Sequence, residues 1–186
     1  MPFFEKDGKK YYSIKGLKFT KYLDRERISA KVKEIAARIN LDYEERTPVL
    51  LVILKGSIIF AADLMRELNV DCKIDTIKAR SYGDSMDSTG EVQISDMSEE
   101  IKGKDIIIIE DIVDTGLTIH TLIQELHKFH PATVEVATLL SKPGMRKMEV
   151  EIKYIGIEVP NTFVVGYGLD YAGYGRNLDG IYALSD

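Results

Sequence analysis

Residues 105–118 read DIIIIEDIVDTGLT, from Asp105 to Thr118. The four isoleucines Ile106 to Ile109 make a short, wholly apolar, β-branched run, the composition of a strand covered on both faces of a parallel sheet. Acid follows at once in Glu110, Asp111 and Asp114. Thr115-Gly116-Leu117-Thr118 then turns the chain into an amphipathic helix with Leu122, Leu126 and Phe129 on one side. In open α/β sheets ligands collect beyond the carboxyl ends of the strands, so acids placed there are expected to face a site rather than the core. A small, glycine-permitted turn at a helix N-terminus presents backbone N–H groups and the positive end of the helix dipole, which suits a phosphate. The alternative is an ordinary strand-turn-helix in which Asp114 or Thr115 is the N-cap.

Upstream, the pattern repeats. Ile28, Val32, Ile35, Ala36 and Ile39 recur at helical spacing, predicting a helix from Asp24, its cap, to Asn40, its stop. Pro48 introduces the apolar strand Val49 to Leu54, which empties into Lys55-Gly56-Ser57 and a helix from Ile58 to Leu68. That second strand-turn-helix predicts a second loop facing the site, against the alternative of a plain turn with an exposed lysine. Lys73 to Ala79 reads as a strand. Arg80 through Lys104 is rich in Ser, Asp, Gly and Glu, with one short β-like piece at Glu91 to Ser95. So long an excursion between strands predicts a mobile lid, the alternative being a solvated hairpin. Downstream, Pro131 ends the central helix, and Thr133 to Leu140 and Tyr154 to Ile157 read as further strands. Residues 1–21 are polar and Lys-rich, an arm or a short strand pair.

These elements predict an α/β fold of one domain, residues 1–186, with a twisted, mainly parallel sheet flanked by helices. The net charge is -5 and no Lys/Arg block stands out, so a nucleic-acid surface is not indicated. The single Cys72 cannot form an internal disulfide, and no apolar run is long enough to span a bilayer or act as a leader after Met1. A soluble cytoplasmic protein is the expectation. Cys72 reads as a buried or strand-edge thiol, and His120, His127 and His130 as surface residues without zinc-ligand spacing.

The acids, two aliphatics and Asp-Thr-Gly-Leu-Thr after a buried strand resemble the signature of the type I phosphoribosyltransferases. There is neither a Walker loop nor a dinucleotide fingerprint to compete with it. The resemblance implies that Glu110 and Asp111 meet the ribose hydroxyls of phosphoribosyl pyrophosphate, while Asp114, Thr115, Gly116, Leu117 and Thr118 hold its phosphate. It implies that Lys55 and Gly56 bind pyrophosphate, often through a cis peptide before the glycine, and that Ser81 and Tyr82 meet pyrophosphate when a flexible loop at about 80–104 shuts. Arg176 matches a pyrophosphate-side arginine. FVVGYGLDY, Phe163 to Tyr171, is similar to the base-holding motif of the hypoxanthine-guanine branch, with Lys142 matching its base-contacting lysine. A small hood built from the N-terminal segment and about 160–186 would carry that base site.

The chemistry implied by this resemblance is transfer of the phosphoribosyl group to hypoxanthine and guanine, giving IMP and GMP with release of pyrophosphate. Phe163 and Val164 would hold the purine, with Asp170 beside it. The Lys142 ammonium has only donors, so it favours a carbonyl at the purine six-position and opposes adenine's amino group. Asp114 would take the purine N7 proton, as a general base or as an anchor. Mg2+ would be held by Glu110, Asp111 and Asp170. The partners are these small molecules, and family members are commonly homodimers or homotetramers. Two other readings are a regulator that senses phosphoribosyl pyrophosphate and a nucleotide-binding fold without transfer chemistry. Gly168 stands where several relatives carry alanine.

Overall fold

The computed structural model describes residues 3–6, 9–78 and 101–185. Its main sheet has five parallel strands in the order β5-β4-β6-β7-β8: β4 (Val49–Leu54), β5 (Lys73–Lys78), β6 (Asp105–Val113), β7 (Thr133–Ser141) and β8 (Tyr154–Glu158). Helices α1 (Arg25–Asp42), α2 (Ile58–Glu67) and α3 (Leu117–His127) flank it. The isoleucine run splits by alternation. Ile107 and Ile109 pack with α1 and α2 in one core, and Ile106 and Ile108 pack with Ile119, Leu122 and Leu126 of α3 in the other. A strand stretch under helices on both sides has no face for polar residues, which is why Ile106 to Ile109 are isoleucine throughout.

Strand order explains where the site lies. From β4 the chain crosses by α2 to β5 on one side, and from β6 it crosses by α3 to β7 on the other. Opposite directions with one crossover hand put α2 and α3 on opposite faces and open a crevice between the carboxyl ends of β4 and β6. Register shows the opening. β4 pairs with β6 as far as Val52 and Ile109, whereas β6 stays paired to β7 through Val113 and Ser141. Glu110 and Asp111 therefore lie on the last stretch of the strand, where one neighbour has been lost, rather than after the strand as the sequence suggested.

The chain ends make a second, antiparallel sheet in the order β1-β2-β3-β10-β9: β1 (Phe3–Lys6), β2 (Lys9–Ile14), β3 (Leu17–Leu23), β9 (Val164–Val165) and β10 (Ile181–Ser185). Tyr12, Ile14, Phe19, Val165, Leu178 and Tyr182 form its small core. The N-terminal segment is thus three strands, one more than the strand pair considered from sequence. β3 is secured by β10, whose Leu184 pairs with Phe19. Such a partner lies too far along the chain to leave a local signal.

Smaller differences have local causes. Asp24 caps α1 by accepting from Arg27 N at 2.8 Å, but the helix runs on to Asp42. Asn40 instead ties the end of α2, donating to Glu67 O at 3.2 Å and accepting from Asn69 N at 2.8 Å. Cys72 is partly buried beside the core, and burial raises its thiol pKa. His127 and His130 are exposed and His120 is half-buried. The proposed lid falls largely outside the described residues, as do Ser81, Tyr82 and the Glu91 to Ser95 piece. Of its last residues, Ile101 is fully buried and Gly103 N donates to His130 O at 2.9 Å. No described helix is long and apolar enough to cross a membrane.

Candidate active site

The crevice between the ends of β4 and β6 encloses a cavity of about 520 Å³. Lys55, Gly56, Glu110, Asp111, Asp114, Thr115, Gly116, Thr118, Asp170 and Arg176 line it, residues that the sequence singled out from three separate segments. Leu117, the first residue of α3, is not on the wall.

Each turn is shaped by its glycine. Gly116 has φ +82° and occupies the N-cap position of α3 without a side-chain cap, and a Cβ there would sit 2.9 Å from Met148 O. The alternative that Asp114 or Thr115 caps the helix is not realised. Thr115 Oγ1 receives only a 3.4 Å bond from Leu117 N, and Asp114 turns to Lys142. Gly56 lies against Asp111: a Cβ on it would overlap Oδ2 and stand 2.7 Å from Cγ. The cis peptide in this turn joins Leu54 to Lys55, one bond earlier than the position before the glycine. The β4 turn and the β6 acids are therefore in direct contact.

Carboxylate electrostatics follow from that crowding. Burial first, then the neighbouring charge of Asp111, holds Glu110 well above the usual carboxylate range. Burial also raises Asp111, against hydrogen bonds from Glu110 and from Ile112 N, the latter at 2.8 Å. Glu110 Oε2 and Asp114 Oδ1 are buried without a hydrogen-bond partner, oxygens placed to receive something from the cavity.

Lys142, 6 % exposed, donates from Nζ to Asp114 Oδ2 at 3.0 Å. Its backbone N bonds to Val113 O at 2.9 Å, which fixes the end of β7 beside the end of β6. Across the cavity, Arg176 pairs with Asp170 and donates to Gly168 O at 2.7 Å, while Asp170 Oδ2 accepts from Gly173 N at 2.7 Å. Phe163 and Val164 do not line this cavity. Val164 is buried in β9, and Phe163 is 44 % exposed, its ring 6.3 Å from Phe19 and 5.7 Å from Tyr171.

Sequence reasoning missed the part played by Arg146, Lys147 and Met148. Lys147 N and Met148 N both donate to Thr115 O, at 2.9 and 3.1 Å, clamping the glycine turn from behind. Arg146 donates from Nη2 to Ser141 Oγ at 3.0 Å, and burial lowers its guanidinium pKa. Backbone amides carry the clamp, so residue identity held no signal for it.

The acidic pair fits a hard divalent cation. The orphaned Glu110 oxygen and the adjacent Asp111 carboxylate are oxygen ligands, the donor type Mg2+ takes. Among the described residues no group of three or more His, Cys, Asp or Glu could hold a metal ion, so substrate and water oxygens would complete its shell.

Residues 19–172 match the family described as phosphoribosyl transferase domain. The chain is 42 % identical over 164 residues to a hypoxanthine-guanine phosphoribosyltransferase of Bacillus subtilis, covering 87 % of this chain and 91 % of that one. It is 44 % identical over 163 residues to the protein of that name from Staphylococcus epidermidis, with the same 87 % and 91 % coverage. A crystal structure of a hypoxanthine phosphoribosyltransferase from Staphylococcus aureus matches with a TM-score of 0.83 at 41 % identity, over 89 % of this chain and 90 % of the other. With a family match spanning most of its length and relatives this similar over most of both chains, the chain belongs to the phosphoribosyltransferase family.

Proposed function

We propose that this protein transfers the phosphoribosyl group of phosphoribosyl pyrophosphate to N9 of hypoxanthine and guanine, giving IMP and GMP and releasing pyrophosphate. The observation that carries the reading is the pairing of the buried Lys142 with the partly exposed Asp114, a donor and an acceptor 3.0 Å apart beside the cavity. A 6-oxopurine presents the complement along one edge, the O6 acceptor next to the N7 proton. Adenine would set an amino donor against an ammonium that can only donate, a mismatch of about 1–3 kcal/mol.

In the reaction, the C1–N9 bond forms as the C1–pyrophosphate bond breaks, through an oxocarbenium-like state of the kind glycoside cleavage uses. Asp114 receives or anchors the N7 proton that the purine must shed as N9 attacks. The glycine turn, Asp114 to Thr118, holds the sugar phosphate at the N-terminus of α3. Glu110 and Asp111 hold the ribose hydroxyls, and Lys55, Gly56 and Arg176 the pyrophosphate. Phe163 offers a flat, half-exposed ring for the base, with Val164 at its edge. Ser81 and Tyr82 belong to the same reading as lid contacts with pyrophosphate.

Glu110 and Asp111, with Asp170 on the same cavity wall, would hold Mg2+, which would supply positive charge against the leaving pyrophosphate. The same reading makes the protein a cytoplasmic enzyme acting as a homodimer or homotetramer, a state that sedimentation measures. The deciding experiment incubates it with phosphoribosyl pyrophosphate, Mg2+ and, separately, hypoxanthine, guanine, xanthine and adenine. Nucleotide forms with hypoxanthine and guanine and scarcely with adenine. Equal use of adenine, or binding without turnover, would overturn the proposal.

A further inference from the structure

Tyr167 has no part in the chemistry above, yet it is tightly constrained. It is 5 % exposed, adopts φ +49° although it is not glycine, and donates its hydroxyl to Asp63 Oδ2 at 2.7 Å. Left-handed backbone in an aromatic residue persists only where its surroundings hold it. Its backbone N is held by Leu178 O at 3.0 Å, and its ring is packed in the core that α1 and α2 share with the main sheet.

Both ends of this hydrogen bond lead back to the cavity. Asp63 belongs to α2, which begins at Ile58 immediately after the Lys55-Gly56-Ser57 turn. Next to Tyr167, Gly168 presses on that same turn: a Cβ there would overlap Gly56 O and stand 3.1 Å from its carbonyl carbon. Gly168 also exchanges two bonds with Arg176, its N donating to Arg176 O at 2.9 Å and its O accepting from Arg176 Nη1 at 2.7 Å. One route thus runs from Asp63 along α2 to Gly56, and another from Asp63 through Tyr167 and Gly168 to Arg176.

We propose that Tyr167 is a positioning residue, whose hydroxyl, held by Asp63, sets the spacing between the Lys55-Gly56 turn and Arg176 and so the grip on pyrophosphate. This rests on the functional reading above, which places pyrophosphate between those groups. The spacing matters because two groups that share one anionic ligand lose contact with it together when they separate. Asp63 also pairs with Arg66 at 2.8 Å, but that contact faces solvent and leads nowhere near the cavity.

The test is steady-state kinetics of Tyr167→Phe, Asp63→Ala, Asp63→Asn, Arg66→Ala and the Tyr167→Phe/Asp63→Ala double variant. Loss of one charge-assisted hydrogen bond should raise the KM for phosphoribosyl pyrophosphate about three- to tenfold in Tyr167→Phe and Asp63→Ala. The KM for hypoxanthine and kcat should change less than about twofold. Asp63→Asn keeps an acceptor and should stay near wild type, as should Arg66→Ala. The double variant should be no worse than either single one, since both remove the same bond. Melting temperatures that fall while that KM stays put would reduce Tyr167 to a structural role and overturn the inference. So would a loss seen in kcat or in the hypoxanthine KM instead. Asp63 lies on a helix surface, so its variants test the idea even where Tyr167→Phe folds poorly. A wild-type protein that does not turn over phosphoribosyl pyrophosphate would sink the functional reading and this inference with it, whereas active variants with wild-type KM sink the inference alone.

Discussion

Gly56→Ala tests the contact on which the site's geometry depends. Gly56 is not among the glycines with positive φ, so its backbone accepts alanine and any penalty is steric. The added Cβ would overlap Asp111 Oδ2 and lie 2.7 Å from Cγ, so the Asp111 carboxylate must shift into the cavity that it lines. Moving the carboxylate strains or breaks its 2.8 Å bond from Ile112 N. Overpacking costs about 1–3 kcal/mol, and a weakened bond to a charged acceptor adds roughly 1 kcal/mol, for a total of about 2–4 kcal/mol. For a chain of this size that lowers Tm by roughly 5–15 °C. Activity should suffer more, since displacing a substrate-holding group by about 1 Å costs on the order of a hundredfold in kcat/KM. Calorimetry and nucleotide-formation kinetics would be run beside Gly144→Ala, whose Cβ meets nothing within 4 Å and which should melt within about 2 °C of wild type. A Gly56→Ala protein with wild-type Tm and kcat/KM would refute the packing of the β4 turn on the β6 acids.

Asp114→Ala should lower turnover at least about a hundredfold, the scale of general acid–base catalysis. Its effect on Tm should be the smaller one, although the change leaves the buried Lys142 without its carboxylate partner; parallel losses in rate and stability would count against the assignment. Lys142→Gln should narrow the hypoxanthine-to-adenine ratio of kcat/KM by roughly tenfold, since an amide accepts as well as donates, and unchanged discrimination would remove Lys142 from base selection. Far from the site, the Tyr154 hydroxyl, donating at 2.7 Å, and then Lys153 hold the Asp42 carboxyl below its ordinary value despite partial burial. A depressed folded-state pKa gives stability that is present above the unfolded value, near 3.8, and lost as pH falls through the lower folded one. Asp42→Asn should therefore cost about 0.5–1 kcal/mol at pH 7 after solvent screening, a difference that closes in strong acid; a pH-independent gap in Tm would contradict this.

Much of this protein could be read locally. Ile106 to Ile109 announce a doubly covered strand because alternation sends two of them to each core. The acids and glycine after them announce a site because strand ends in such sheets face ligands. The Lys55-Gly56 turn was legible for the same reason. What local pattern could not convey is pairing and reach. The N-terminal strands take their place from β10, more than 150 residues away, through a register no short-range periodicity encodes. Met148 and Lys147 clamp Thr115 through backbone amides, which every residue but proline possesses. Lys142 was singled out by resemblance alone, and it is β7 that carries it beside Asp114; nothing local joins the Tyr167 hydroxyl to Asp63. Composition and periodicity thus determined which strands are buried and where each turn falls. Only the tertiary structure decided which turns share a cavity, because that depends on strand order, and strand order is settled by contacts between segments remote in the chain.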